Sequence, residues 1–242
     1  MIDIHTHIMP GVDDGAGTLE DALHLIRQAV EGGTREIILT PHCAPSYGFF
    51  NFNDYLLEEK FDVLCRAVEK EQIPVVLHPG MEVLYESKEE FLIHIDEYFP
   101  LCGGRYFLME FFFDASGENF LEGIQTVKEQ GYIPVIAHPE RYECVKKDWE
   151  LALEGHKKGG KFQINKSSLS GTHGEKASRC AFQFLDLDIV DFIASDAHHV
   201  RGRGSGLGRV YRFIEKEYGL ERAKRLFVTN PGEVVRKGNI LT

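Results

Sequence analysis

Residues 1–15 read MIDIHTHIMPGVDDG. Alternate residues of a β-strand share a face, so a strand over "IDIHTH" points His5 and His7 the same way, with Asp3 beside them. Three polar groups on one side of an otherwise apolar strand need a partner. A metal ion is one candidate, and a wetted strand face is the other. Which applies depends on what the rest of the chain brings to that end of the strand.

Outward from this strand the pattern alternates. "TLEDALHLIRQAV" carries Leu19, Ala22, Leu23, Ile26, Ala29 and Val30 at helical spacing, with Thr18 as N-cap and Gly32-Gly33 as the stop. "EIILTPH" is a second apolar run. A helix is predicted from about Asn53, with Leu57, Phe61, Leu64, Cys65 and Val68 on one face. "PVVLHPGMEV", "RYFLMEF", "IPVIAHPER", "KFQINKSS" and "DIVDFIASDAH" follow as further strands, with a helix over 119–130 between the fourth and fifth runs. The tail from Leu207 reads as two helices, and "APSYGFFNF" (44–52) as an irregular aromatic loop. Near-continuous apolar strands alternating with helices indicate a parallel sheet covered on both faces. About seven such units favour a closed barrel over an open sheet. No G-x-G-x-x-G follows any strand, which removes the usual dinucleotide signal.

The chain has 242 residues, 43% of them hydrophobic, enough for one domain spanning 1–242 with a full core. Its formal net charge of −11 argues against a nucleic-acid or anionic-membrane surface. Asp3 and His5 interrupt any signal-peptide pattern, and no apolar run is long enough for a membrane helix. Five scattered cysteines without C-x-x-C suit reduced thiols, so the expected location is cytoplasmic.

The polar residues fall on that frame in a definite place. His5 and His7 end the first strand, His42 the second, Glu82 the third, Glu110 the fourth and His138 the fifth. Asp196 and His198 end the last. In a parallel barrel these strand ends form one rim, where active sites lie. Eight metal-capable side chains from six strands therefore converge there, and Asp14 in the first loop makes a ninth. Brought together without cations, they would repel and lose solvation. Metal binding is the expectation, and imidazole with carboxylate suits Mn, Fe or Zn. His24, His78, His94, His156, His173 and His199 lie in ordinary helical or polar contexts.

"DIHTH", "TPH", "GMEV", "MEF", "IAHPERY" and "ASDAH…GRG", in this order over nearly the whole chain, resemble the PHP (polymerase and histidinol phosphatase) superfamily. Closer still, the chain resembles the bacterial PHP-type tyrosine phosphatases encoded with capsule and exopolysaccharide genes. The resemblance implies an α/β fold, a distorted (β/α)7 TIM-like barrel, and three divalent metal ions, with manganese first in expectation. One ion would take His5, His7, Glu82 and Asp196. A second would take Glu82, Glu110 and His138, and a third Asp14, His42 and His198. Asp13 is the weaker alternative to Asp14. Arg141 in "HPERY" and Arg203 in "VRGRG" would hold phosphate, with Arg201 an alternative to Arg203. Where some relatives read "TSHR" this chain reads "TPHC", so one rim arginine is absent.

The implied activity is a metal-dependent phosphomonoesterase, a protein-tyrosine phosphatase whose metal-bridging hydroxide attacks phosphorus. Its implied substrate is the phosphotyrosine tail of a cytoplasmic bacterial tyrosine kinase. Cysteine chemistry is closed: six residues after the five cysteines stand Phe49, Glu71, Leu108, Glu150 and Asp186, none the arginine that C-x₅-R requires. Cys43, next to His42, reads as a packing residue. Histidinol phosphate is the alternative substrate. A nuclease or proofreading role is disfavoured by the acidity and the lack of a basic stripe.

Overall fold

Strands and helices alternate along residues 1–238, which the computed structural model describes. The strands are β1 (Ile2–Asp3), β2 (Glu36–Leu39), β3 (His42–Ala44), β4 (Phe49–Phe50), β5 (Val76–Pro79), β6 (Glu82–Leu84), β7 (Tyr106–Glu110), β8 (Ile133–Ala137), β9 (Lys161–Asn165) and β10 (Phe192–Ala194). The helices are α1 (Leu19–Glu31), α2 (Tyr55–Lys70), α3 (Lys88–Ile93), α4 (Gly117–Glu129), α5 (Glu143–Lys147), α6 (Glu150–Lys157), α7 (Lys166–Leu169), α8 (Glu175–Asp186), α9 (Gly208–Tyr218), α10 (Leu220–Lys224) and α11 (Asn230–Gly238). None is long and apolar enough to cross a membrane.

Pairing runs β1-β2-β5 in one ladder and β10-β9-β8-β7-β6-β3-β4 in another. Every pair is parallel except β3–β4. β2 and β3 lie on one stretch of chain, as do β5 and β6, and both stretches change ladder at the same level. Pro41 has no N–H for a ladder. Thr40 N instead donates to Thr6 O at 2.9 Å, and Thr6 N donates to Thr40 Oγ1 at 3.0 Å. At Gly80 a Cβ would lie 2.8 Å from Ile38 Cγ2, so only glycine passes there. A single parallel bridge joins Thr6 to Ala197: His7 N donates to Ala197 O at 2.8 Å, and Asp196 N to His5 O at 3.0 Å.

The strands are buried on both faces. Tyr106 and Leu108 of β7 join Val135 and Ala137 of β8 and Phe192 and Ala194 of β10 in one apolar cluster. The residues between them, Phe107, Met109, Ile136 and Ile193, pack in another with Phe120, Ile124 and Phe184 from the helices. Helix α11 sets Val234 and Val235 against Ile2, Tyr106 and Phe192, at the N-terminal ends of their strands. The C-terminal ends are left for polar residues.

Several local expectations change. The β1 ladder ends at Asp3, because a hydroxyl, Thr40 Oγ1, takes the place of a strand carbonyl at Thr6. Asp3 does not join the histidines; its Oδ1 accepts from Ser195 N at 3.0 Å. Thr18 caps α1 as predicted, in a capping box with Asp21, but the buried stripe is Ala22, Leu25, Ile26 and Ala29, while Leu19 is exposed. Residues 44–52 are more ordered than a loop. Gly48, at φ 84°, lets the chain turn back so that Ala44 pairs with Phe49 and Cys43 with Phe50. The tail holds three helices rather than two, with a π turn over Arg225–Thr229 before α11.

Candidate metal centre

All nine predicted ligands meet at the strand ends. Four groups bring their donor atoms within 4.8 Å of one another: His7, Asp14, His42 and His198; His5, His7 and Asp196; His5, Glu82 and His138; and His42, Glu82 and Glu110. Glu82 is central and fully buried. Its Oε2 stands 3.1 Å from His5 Nε2, His7 Nε2 and His42 Nδ1 alike. The grouping departs from the expected division: His5 and His7 are each shared between two groups, Glu82 sits with His138 and with His42 rather than with His7 and Asp196, and Glu110 pairs with His42 rather than with His138. His42 presents Nδ1 to Glu110 at 3.0 Å and Nε2 to Asp14 at 3.6 Å, so it belongs to two groups, while His138 lies 3.8 Å from Glu110.

Local backbone aims these side chains. His138 and Asp196 leave their strands with φ of 35° and 49°, in the left-handed region where non-glycine residues are uncommon. Such conformations cost on the order of 1–3 kcal/mol each and persist where surroundings over-determine them. The turn at His138 brings Nε2 to 3.1 Å from Glu82 Oε1.

A further layer fixes the ring orientations. His7 Nδ1 donates to Asp13 Oδ2 at 2.8 Å, and His5 Nδ1 to Gln163 Oε1 at 2.7 Å, leaving each Nε2 to face the centre. Gln163 Nε2 donates to Asn165 Oδ1 at 2.8 Å, and Asn165 Nδ2 to Asp196 Oδ2 at 2.5 Å. Asp13 also accepts from His42 N and Gly15 N. Glu140, buried beside this layer, accepts from Asn165 N at 3.0 Å and Ser168 Oγ at 2.6 Å.

Electrostatics show how strongly the site demands positive charge. Burial alone would lower the pKa of His5, but the Glu82 and Asp196 carboxylates outweigh it and raise it to about 9. His42 rises to about 10 against the same burial, because of Glu110 and Glu82. Burial opposes charge on Glu82 as well, yet His5 and His42 hold it well below the usual carboxylate range. His198 goes the other way, to about 4, through burial and the neighbouring His7.

The donor set fits divalent ions. Ligand atoms about 2.1 Å from a common ion, at tetrahedral or octahedral angles, lie about 3.0–3.4 Å apart. The contacts around Glu82 Oε2 and Asp196 Oδ1 run from 3.1 to 3.6 Å. Glu82 Oε2 and His42 Nδ1 are buried without an aligned hydrogen bond, although they lie 3.1 Å apart and Glu82 Oε2 is equally close to His5 and His7. Groups that approach closely but do not align as donor and acceptor suit coordination better than hydrogen bonding.

Both predicted arginines reach Asp196. Arg203 lies 2.6 Å and Arg141 3.6 Å from Oδ2, whereas Arg201 is exposed. The Arg141 guanidinium sits 4.5 Å over the Phe113 ring. Phe49 stacks on His42 at 5.6 Å, while Phe50 is exposed and Phe52 packs on His94 and Tyr98. Cys43 is buried, and burial pushes its thiol up to about 12, so it is a packing group.

Residues 1–236 match the family "Capsular polysaccharide synthesis, CpsB/CapC". The chain belongs to this family. Within CpsB/CapC, the tyrosine-protein phosphatase YwqE of Bacillus subtilis is 34% identical over 221 residues, 91% of this chain and 86% of that one. The tyrosine-protein phosphatase CpsB of Streptococcus pneumoniae is 32% identical over 241 residues, 97% and 98% of the two chains. Among solved structures, one from the work on YwqE and S. pneumoniae CpsB, described as unique metal-dependent tyrosine phosphatases, superposes with a TM-score of 0.89. It is 33% identical, and the match covers 98% of this chain and 95% of that one. A D-hydantoinase from Thermus sp., 11% identical, shares the α/β fold alone at a TM-score of 0.55, over 98% of this chain and 71% of its own.

Sequence reading missed Asp13 as a positioning group, and also Gln163, Asn165 and Phe113. A signal for two of them was present: "QIN" sets Gln163 and Asn165 at i and i+2 on an apolar strand, the same spacing as His5 and His7. His173, set aside as ordinary, is bonded to Ser167 Oγ at 2.8 Å.

Proposed function

We propose that this CpsB/CapC chain is a metal-dependent protein-tyrosine phosphatase acting on a cytoplasmic bacterial tyrosine kinase of capsule or exopolysaccharide synthesis. One observation carries the reading: nine imidazole and carboxylate side chains converge beside two arginines, in a chain one third identical to YwqE. His5, His7, Asp14, His42, Glu82, Glu110, His138, Asp196 and His198 would hold three divalent ions, manganese by preference. The Thr6–Ala197 bridge supports reading the strands as a closed, distorted (β/α)7 barrel.

Bound there, divalent ions lower the pKa of a coordinated water and neutralise phosphoryl oxygens. The protein's own residues do the rest. Arg141 and Arg203 present planar, always-charged donors suited to two phosphoryl oxygens each. Phe113 restrains Arg141 from below, so less freedom is lost when phosphate binds. Asp13, Gln163 and Asn165 keep protons on the outer nitrogens of His7 and His5 and leave the inner nitrogens free. Phe49 offers an aromatic surface beside His42 for a phenyl leaving group. A phenolate, with a conjugate-acid pKa of about 10, leaves more readily than an alkoxide.

The test compares kcat/KM for a phosphotyrosine peptide, a phosphoserine peptide and histidinol phosphate with Mn²⁺ present. The phosphotyrosine peptide should be fastest. A preference for histidinol phosphate by more than about tenfold, roughly 1.4 kcal/mol of transition-state binding, would overturn the assignment.

A further inference from the structure

Beside the metal centre runs a groove of about 950 Å³. It lies between the C-terminal end of α1, the glycine-rich segment 200–208, α7 and α9, with Phe182 of α8. Gly202 and Gly204 line it on either side of Arg203, so the backbone that carries this arginine borders the groove while its guanidinium lies on Asp196. The segment is pinned against α1. Ser205 N donates to Gln28 Oε1 at 2.7 Å, and a Cβ on Gly204 would lie 2.2 Å from that oxygen. A Cβ on Gly208 would lie 2.6 Å from Gly32 O. The groove is thus built in place by close packing, at Gly208 against backbone that no side chain could clear.

Its charge is opposite to that of the chain. Against a net charge of −11, the groove is lined by Lys166, Arg209 and Arg212 and by a single carboxylate, Glu31. Arg209 and Arg212 are exposed, and among the described residues neither has an ion-pair partner. Most other arginines of the chain are paired or bonded to carbonyls. The apolar part of the lining includes Phe182 and Phe213, in edge contact at 6.0 Å, with Phe213 exposed.

We infer that this groove binds the polypeptide flanking the phosphorylated tyrosine and selects flanks that carry acidic side chains. The inference rests on the phosphatase reading above. Two unpaired guanidiniums offer forked donors that match carboxylates. Phe182 and Phe213 give an extended backbone an apolar surface to lie on. A groove that opens beside Arg203 is placed to receive residues a few positions from the reacting tyrosine. The overall acidity of the protein would favour basic substrates, and the local field of the groove reverses that preference where the substrate docks.

The test uses the full chain with Mn²⁺ and three phosphotyrosine peptides whose flanks carry glutamates, glutamines or lysines on both sides. The glutamate peptide should have a KM at least about fivefold below the glutamine peptide, with similar kcat. That ratio should fall toward one between 50 and 500 mM salt, as screening shortens. In an Arg209→Glu, Arg212→Glu double variant the preference should vanish or invert toward the lysine peptide. Equal KM values for the glutamate and glutamine peptides, or a preference untouched by both salt and the double variant, would overturn the groove assignment while leaving the phosphatase reading intact. If no peptide is hydrolysed, the phosphatase reading fails. The groove is then judged by fluorescence anisotropy of labelled, unphosphorylated glutamate and glutamine peptides, where equal affinity refutes it and tighter glutamate binding supports it.

Discussion

Asn165 Nδ2 and the Arg203 guanidinium meet on the same atom, Asp196 Oδ2, at 2.5 and 2.6 Å. Asp196 Oδ1 is left to face His5, His7 and His198. One carboxylate thus divides its oxygens between the predicted ion and the groups that hold it. Asn165→Ala should remove the fixed donor and let Asp196 rotate, lowering metal affinity or kcat/KM by about 10–100-fold. The check is metal titration alongside kinetics. Unchanged values in both would show that the arginines orient Asp196 without Asn165.

Metal dependence is the second expectation. Exhaustive chelation should abolish turnover, and Mn²⁺ should restore it. His5→Ala and Asp196→Ala should each lose bound metal and turnover while circular dichroism still shows a folded chain. Ions that bind only the native state add stability by mass action, so the chelated protein should melt at a lower temperature. Full activity in a preparation shown by elemental analysis to be metal-free would refute the assignment.

For Arg141, 3.6 Å from Asp196, the expectation is loss of transition-state stabilisation without loss of metal, whereas Arg203, which also holds Asp196 at 2.6 Å, should in addition weaken metal binding when removed. Alanine at either position should lower kcat/KM by about 10²-fold or more. Phe113→Ala should have a smaller effect, because the cation–π contact it removes is worth roughly 0.5–2 kcal/mol. Arg201→Ala tests the register. A severe loss there with a silent Arg203→Ala would move the phosphate contact by two residues.

Away from the site, Asp191 ties β9 to the strand beside it. It accepts from Phe162 N at 3.0 Å and Lys161 Nζ at 2.9 Å, and lies 3.3 Å from His156. Burial would raise its pKa, but His156, Lys161 and the Phe162 amide hold it below the usual value. A depressed carboxyl stabilises the fold at pH above its unfolded value of about 4, and that contribution fades as pH falls through the lower folded value. Asp191→Ala should therefore cost roughly 1.5–3 kcal/mol at pH 7, and the gap to the parent should narrow near pH 3. Urea unfolding at both pH values measures it. An equal gap at both would exclude the charge as its source.

Much of this architecture was legible because two signals coincided. Apolar runs of strand length alternate with helical periodicity, and several runs end in histidine or an acid. His5, His42, Glu82, Glu110, His138 and Asp196 could be read that way one strand at a time. What escaped reading depends on partners distant in sequence. Asp13 looks like a neighbour of Asp14 until His7 Nδ1 is seen on it. Gln163 and Asn165 acquire meaning only beside His5 and Asp196. The left-handed turns at His138 and Asp196 carry no glycine to announce them, and Gly48 concealed a hairpin inside an aromatic stretch. The two-faced position of His42 follows from charge balance across several strands, which spacing along one strand does not encode.

Asp3 accepts from Ser195 N across 192 positions of sequence, and Thr6 meets Ala197 beside it. These contacts set an order of events in the making of the molecule. The first strand is made early, with Asp13 soon after to orient His7, but Gln163, which orients His5, and Asp196 arrive only with β9 and just past the end of β10. Contacts of such separation are entropically costly to close and slow to form. His5 thus lacks its orienting partner Gln163 until late in translation, and the full ligand set is expected to assemble only in the last stage of folding. A truncated chain ending before Asp196 should capture metal poorly for this reason, even where its local helices and strands have already formed.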